Sequence, residues 1–509
     1  MEGHMAETTK IGIICDMHLP DDKTSPQYAF LLMAAERMKK DGVDTVICLG
    51  DITAFGELGG WELYQEALQD FTHYEVAGNS DVRDGSTREI LTGKLKPAAF
   101  SAGTRCVIGL NTPDAQITES DRERLRDVKP GDIIFLHHYI RTLTEESGTW
   151  LTRLAEEVPV TILHGHGHRY FDYYINESHI LGMRGLDPDK SIGNFPSINY
   201  LKISEEAVTL EEVMIDLPQS YLEAVSQYFG LSCVDNARDV AYATEQGIKY
   251  VELRCNGRDW TPDMELLPLL KAWREKTDGY LSIHMPNLRY KDGEVHGMEQ
   301  WKEALQYALV TNADSLTIHP PRVQVRDMAV GSEAWNTLLE LYLEVVRTVP
   351  AATRVGIENL HKEAGEKLDE ARGFGYLPSE VSAWIDAINE QVAGNQDGTP
   401  RVGHILDVGH ARNNGGFAQR FPISRWYRIM GGKAVAYHIH QVVSGPNGAA
   451  NHSPLECWFG PMINYTSFFY GWHHGLLNHV PVFLEVKGSE NYAKSMKGFR
   501  EMLEYYQHS

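Results

Sequence analysis

From residue 228 to its end, the chain repeats one alternation eight times: a short apolar run, then a long stretch with helical periodicity. The runs lie at 230–234, 250–253, 280–285, 315–319, 354–359, 402–407, 434–440 and 480–486. Consecutive strands separated by helices pair in parallel, and eight such units are what a (β/α)8 TIM barrel requires. An open doubly wound sheet is the alternative.

The first part of the chain reads differently. Apolar runs at 11–15, 45–49, 74–77, 106–110, 133–136 and 160–163 each end at a polar residue or glycine, and helical stretches at 28–40 and 61–71 separate the early ones. Runs at 171–176, 180–183, 198–203 and 207–214 then follow with no helix between them. This mixture predicts an α/β domain of two packed sheets with helices outside. A length of 509 residues exceeds what one hydrophobic core organises. The expected boundaries are a first domain at 6–216, a linker at 217–227 and a barrel at 228–509. The opening Met-Glu-Gly-His-Met reads as a tag remnant, so His4 is set aside.

Charge narrows the partners. A formal charge of −23 repels phosphate backbones at long range, which argues against an extended duplex-DNA footprint. No apolar run is long enough to span a bilayer, and no basic-then-apolar leader opens the chain, so a cytoplasmic protein without a membrane partner is expected. The six cysteines form no C-x-x-C pair and read as buried free thiols. Self-association into a homo-oligomer is left open.

Metal-binding residue types fall where strands give way to loops. Asp16 and His18 follow the first run, Asp51 follows Gly50, Asn79 follows Gly78, His137 ends the run at 133–136, and His166 and His168 follow Gly165. Loops at one sheet edge can converge, and glycine lets the backbone turn tightly there. The ordered series Asp16-Met-His18, Gly50-Asp51, Gly78-Asn79, His137 and Gly165-His166-Gly167-His168 resembles the calcineurin-like metallophosphoesterase signature. The resemblance implies a four-layer αββα sandwich. It implies one metal held by Asp16, His18, Asp51 and His168, and a second held by Asp51, Asn79, His137 and His166, with Asp51 bridging. Mixed nitrogen and oxygen ligands suit Mn, Fe, Zn or Co. Two cations so placed can activate a water and clamp phosphoryl oxygens.

His138 is expected beside the metals as a supporting or substrate residue. Where the family often carries a histidine after Gly-Asn, this chain has Ser80 followed by Asp81. Asp81 either replaces that histidine as general acid or orients a ligand as a loop carboxylate. His73 and His164 are expected to be structural.

In the barrel half, His284, His319, Glu358, Asp407, His410, His438, His452 and Glu485 lie at or just beyond strand ends, where β/α-barrel active sites assemble. This half resembles the xylose isomerase-like superfamily, which includes sugar isomerases and endonuclease IV. Glu358, Asp407, His438 and Glu485 match the single-metal site of the isomerase branch, and His284, His319, His410 and His452 match further ligands of the multi-zinc branch. The resemblance implies one to three divalent metals, Zn or Mn. The acid expected two residues before His452 is absent, since Ala450 stands there. His440 is expected to face away from the site and pack.

The reading that follows is a two-domain metalloenzyme acting on small phosphorylated molecules. Its first domain hydrolyses a phosphoester. Its barrel hydrolyses a related one, isomerises a sugar with Glu358 and Glu485 moving a proton, or only binds substrate.

Overall fold

The computed structural model describes residues 9–508 apart from 205, 258–259, 370, 395–398 and 446–447; the tag-like opening, with His4 and the expected start of the first domain, lies outside it. The chain divides into two compact units. One runs up to Leu217 and includes Phe459–Ser467; the other comprises Pro218–Trp458 and the residues from Phe468 on.

Among the described residues, the first unit holds a five-stranded and a six-stranded sheet. In the first, Thr9–Ile14 lies between Ser197–Ile203 and Thr45–Cys48, with Val208–Met214 and Thr72–Glu75 at the edges. In the second, the parallel strands Arg105–Leu110, Ile133–Leu136 and Thr161–His164 are central. Strand alternation sends Ile11, Ile13 and Ile47 from one sheet against Val107, Phe135 and Leu163 from the other, so the main core lies between the sheets. A second core covers the far face of the six-stranded sheet, where Leu151 and Ala155 of helix Glu145–Glu157 pack on Ile134 and Ile162. Helix Pro26–Lys40 starts from a Ser25 cap that accepts from Tyr28 N–H, and it buries Phe30, Leu31, Ala34 and Met38. This is the αββα sandwich.

The second unit is a closed barrel. Its strands are Phe229–Ser232, Tyr250–Arg254, Tyr280–His284, Ser315–Ile318, Arg354–Glu358, Val402–Asp407, Ala434–Ile439 and Val482–Leu484. The last pairs in parallel with the first, which excludes the doubly wound alternative. Helices cover the outside; Glu333–Thr348, capped by Ser332, buries Leu338, Leu339, Tyr342 and Leu343.

Two expectations are corrected. Residues 217–227 are not a plain linker: Gln219–Ser226 is a helix whose Leu222 and Val225 are buried, and it belongs to the barrel unit. Phe459–Ser467, expected with the barrel, belongs to the first unit, where Asn464 Nδ2 donates to Ser191 O (2.7 Å) and Asn194 O (2.9 Å). The sequence reading also missed two two-stranded ribbons, Arg289–Lys291 with Glu294–His296 and Gln441–Gly445 with Gly448–Ser453. The six cysteines are free; four are buried, Cys106 is half-buried and Cys457 is exposed. Among the described residues, no helix is long and apolar enough to cross a membrane.

Candidate metal centres

The first cluster forms at the carboxyl ends of the parallel strands of both sheets. Asp16 (φ 50°), His18 (46°), Asp51 (51°), His166 (64°) and His168 (52°) all adopt left-handed backbone. That conformation is costly for residues with a Cβ and concentrates at functional sites. Gly78 is needed beside them, since a Cβ there would collide with the Asp51 carboxylate. The result brings all seven candidates together in two groups. Ligand atoms of Asp16, His18 and His168 lie within 4.8 Å of one another, as do those of Asp51, His137 and His166. Asn79 Oδ1 stands 3.2 Å from His137 Nε2.

Asp51 joins the groups. Its Oδ2 is 3.2 Å from His18 Nε2, and its Oδ1 is 3.4 Å from His137 Nε2. His137 Nδ1 donates to Leu49 O (2.8 Å), so the neutral ring carries its lone pair on Nε2. Around that nitrogen stand Asp51 Oδ1 at 3.4 Å, the Asn79 side-chain amide at 3.2 Å and His166 Nδ1 at 3.2 Å. A buried imidazole lone pair facing the Asp51 carboxylate is an arrangement that a cation between them would satisfy. Burial, reinforced by the neighbouring rings, pushes His138 down to about 3 and His166 to about 4, so both are neutral imidazoles at neutral pH.

His138 stays beside the cluster, its ring 4.4 Å from that of His166. Burial, with the Asp51 carboxylate nearby, raises the Asp81 pKa to about 6. Asp81 is fully buried, its Oδ1 accepts from Thr53 N–H (2.8 Å) and Thr53 Oγ (3.0 Å), and its Oδ2 accepts from Gly78 N–H (2.9 Å). These bonds tie the Asn79 loop to the loop after Asp51. Ser80 holds the bridging carboxylate, donating from N–H to Asp51 Oδ1 (2.7 Å) and from Oγ to Oδ2 (3.0 Å). Asp187, which the sequence did not single out, lies 3.2 Å from His18 Nδ1 and can fix that ring. His164 is buried at a strand end, and His73 Nδ1 pairs with Glu75 at 2.6 Å, outside the cluster.

The second cluster fills the carboxyl end of the barrel. His284 Nε2 and His319 Nε2 each lie 3.2 Å from Glu358 Oε2. His319 Nδ1 is hydrogen-bonded to Asn287 Oδ1, so its Nε2 lone pair faces the carboxylate, while His284 Nδ1 lies 3.3 Å from both Met285 O and Asn256 Nδ2. His438 Nδ1 lies 3.3 Å from Glu358 Oε1 and 3.2 Å from Glu485 Oε2. His452 Nδ1 approaches Glu485 Oε2 to 3.4 Å. Asp407 caps the helix carrying His410, accepting from its N–H at 2.6 Å, and His410 Nδ1 bonds Asn359 O at 3.0 Å. The eight candidates therefore meet at one place.

Sequence reasoning missed Glu252 and Arg254. Glu252 is buried inside the second barrel strand, where Ser232 and Ser282 (each 3.2 Å) and Thr317 (2.6 Å) donate to it. His438 Nε2 stands 3.1 Å from its Oε1, which leaves Nδ1 for the cluster. Burial alone would discharge the His438 ring; Glu252, Glu358 and Glu485 outweigh it and hold its pKa well above the ordinary value. Arg254 meets Glu485 Oε1 at 2.9 Å.

His440 corrects an expectation. Residues two apart on a strand share a face, so His440 points the same way as His438. It is fully buried, with Nε2 3.2 Å from Asp407 Oδ1. The Gln441–Gly445 ribbon folds back so that His452 N–H donates to His440 Nδ1 (2.9 Å). That same Nδ1 lies 3.0 Å from Gln441 O, and Nε2 faces the Asp407 carboxylate.

A family model described as calcineurin-like phosphoesterase matches residues 9–191, and one described as xylose isomerase-like TIM barrel matches residues 240–506. No curated protein matches. Among solved structures, a D-tagatose 3-epimerase-like protein is 16% identical over 55% of this chain and 98% of its own, with a TM-score of 0.39. A dimetal phosphatase from Danio rerio is 12% identical over 40% of this chain and 95% of its own, with a TM-score of 0.33. A protein from Thermus thermophilus, soaked with zinc chloride, is 18% identical over 54% and 97%, with a TM-score of 0.35.

Proposed function

The chain belongs to the xylose isomerase-like TIM barrel family and carries a calcineurin-like phosphoesterase domain ahead of the barrel, and from that premise we propose a two-headed metalloenzyme that hydrolyses phosphoesters of small molecules at both clusters. Both families work with divalent metals. Asp16, His18, Asp51 and His168 would hold one ion and Asp51, Asn79, His137 and His166 a second, from among Mn, Fe, Zn and Co. In the barrel, His284, His319 and Glu358 would hold one and Glu358, Asp407, His438 and Glu485 another, Zn or Mn. His410 and His452 are left for a third, which lacks the acid at Ala450. When bound, such ions supply an activated water and neutralise charge on the phosphoryl oxygens.

The chain's own groups do the rest. Ser80 and Asp187 fix Asp51 and His18 before substrate arrives, so little reorganisation is needed on binding. His138, neutral and buried against His166, would donate an N–H to a phosphoryl oxygen. The observation that carries the reading is the Asp51 carboxylate, whose two oxygens each face a different ligand group. Hydrolysis is favoured over isomerisation in the barrel because Glu358 sits among imidazoles on both oxygens and has the surroundings of a ligand, not of a proton shuttle. Asp51→Asn should lower hydrolysis of bis-p-nitrophenyl phosphate by at least about 100-fold. Retained hydrolysis by that variant would remove the basis of the assignment.

A further inference from the structure

We propose that the barrel selects an anionic, phosphorylated substrate over a neutral sugar through Arg254 and Arg322, an inference that rests on the barrel being a metal-dependent phosphoesterase. A cavity of about 160 Å³ opens onto the cluster, and both guanidinium groups line it alongside His319, His410, His452 and Glu485. Arg254 comes from the end of the second barrel strand. Arg322 follows the fourth, and its backbone is pinned on both sides: its N–H donates to Leu288 O (2.9 Å), and its carbonyl accepts from Tyr290 N–H (3.1 Å). The Arg254 side chain is mostly buried, and that of Arg322 is one-third exposed.

Charge gives the argument its direction. Four buried carboxylates, Glu252, Glu358, Asp407 and Glu485, stand in the cluster. Two divalent cations balance them. Arg322 is already paired with Glu363. Arg254 has Glu485 as its partner, and Glu485 turns its other oxygen to His438 and His452. Once cations share Glu485, the cavity carries an excess positive charge with imidazoles and metals around it. A neutral polyol offers nothing to offset that, whereas a phosphoryl group presents acceptor oxygens matched to the guanidinium fork. The rest of the substrate has room next door. A cavity of about 330 Å³ shares Arg322 and Leu360 as its wall and adds Arg289 and Lys291 together with Glu363 and Glu366.

Inorganic phosphate is the probe. Titration calorimetry on the metal-loaded full chain carrying Asp51→Asn, to weaken the first site, should show phosphate binding that falls at least tenfold in Arg322→Met. Arg322→Lys should recover part of it, and D-fructose should bind more weakly than phosphate throughout. Arg254→Lys should lower phosphate affinity too, since a point charge replaces a fork. Metal analysis of the same samples separates this inference from the reading beneath it. A metal-loaded barrel whose phosphate affinity ignores both arginines, or which prefers the ketose, overturns the subsite alone. A barrel without metal overturns the phosphoesterase reading and the subsite that rests on it.

Discussion

Glu252 bears no mark in the sequence that separates it from any other glutamate in a strand, yet three hydroxyls and the His438 ring converge on it. Its place is below the cluster, where it decides which nitrogen of His438 keeps the proton. Glu252→Gln keeps the size but offers one acceptor instead of two, and it sets an NH2 against either the imidazole or the hydroxyls. Barrel metal affinity should fall by about 10–100-fold, measured by competition with a chromogenic chelator, while bis-p-nitrophenyl phosphate hydrolysis persists. Unchanged affinity would mean that His438 is oriented by the fold alone. The contrast explains what was legible at this scale. Asp51 and Asn79 follow glycines at strand ends and can be read from the order of letters. Glu252, Asp187 and Arg254 acquire their roles only from neighbours far away in sequence. The His440 expectation failed for a simpler reason, since spacing by two keeps a side chain on one strand face.

Elements are joined by capping groups as much as by strands. Asp239, fully buried in helix Asn236–Gln246, accepts from Val234 N–H (2.9 Å) and Asp235 N–H (3.1 Å) on one oxygen, and from Ser489 N–H (3.1 Å) and Ser489 Oγ (2.6 Å) on the other. It thereby ties the loop after the first barrel strand to the start of the last helix, Ser489–His508. Burial raises its pKa, but the bonds from Ser489 and Val234 outweigh that and hold it below the usual carboxylate value. A depressed folded pKa stabilises above the unfolded value, about 3.9, and that contribution fades as pH falls through the folded pKa. Asp239→Asn must turn an amide NH2 toward one pair of donors. It should cost about 1.5–3 kcal/mol at pH 7, and the gap to the parent should close on acidification below about pH 4, followed by urea denaturation. A gap constant with pH would show that the charge is not what matters. The eight barrel runs were legible because each is apolar and bounded. The ribbon at Arg289–Lys291 was not, because a strand so short and largely exposed has no period to detect.

At the scale of the whole molecule, the charge of −23 and the two clusters belong to one account. Buried carboxylates opposed to imidazole lone pairs are costly unless cations intervene, so part of the acidity is a demand for metal. Each unit has its own core and its own ligand set, drawn entirely from within that unit. The losses on mutation should then be separable. The parent chain should hold about four or five divalent ions. Glu358→Gln removes the carboxylate shared by His284, His319 and His438, so the count should fall to about two with phosphodiester hydrolysis retained. Asp51→Asn should leave the barrel's ions in place. Elemental analysis of the purified variants, after dialysis against a weak chelator, reads both outcomes. A parent chain with only two ions would mean that the barrel's opposed acceptors are satisfied by protons on His438 and its neighbours. In that case the acidic cluster is a substrate-binding surface and not a catalytic one.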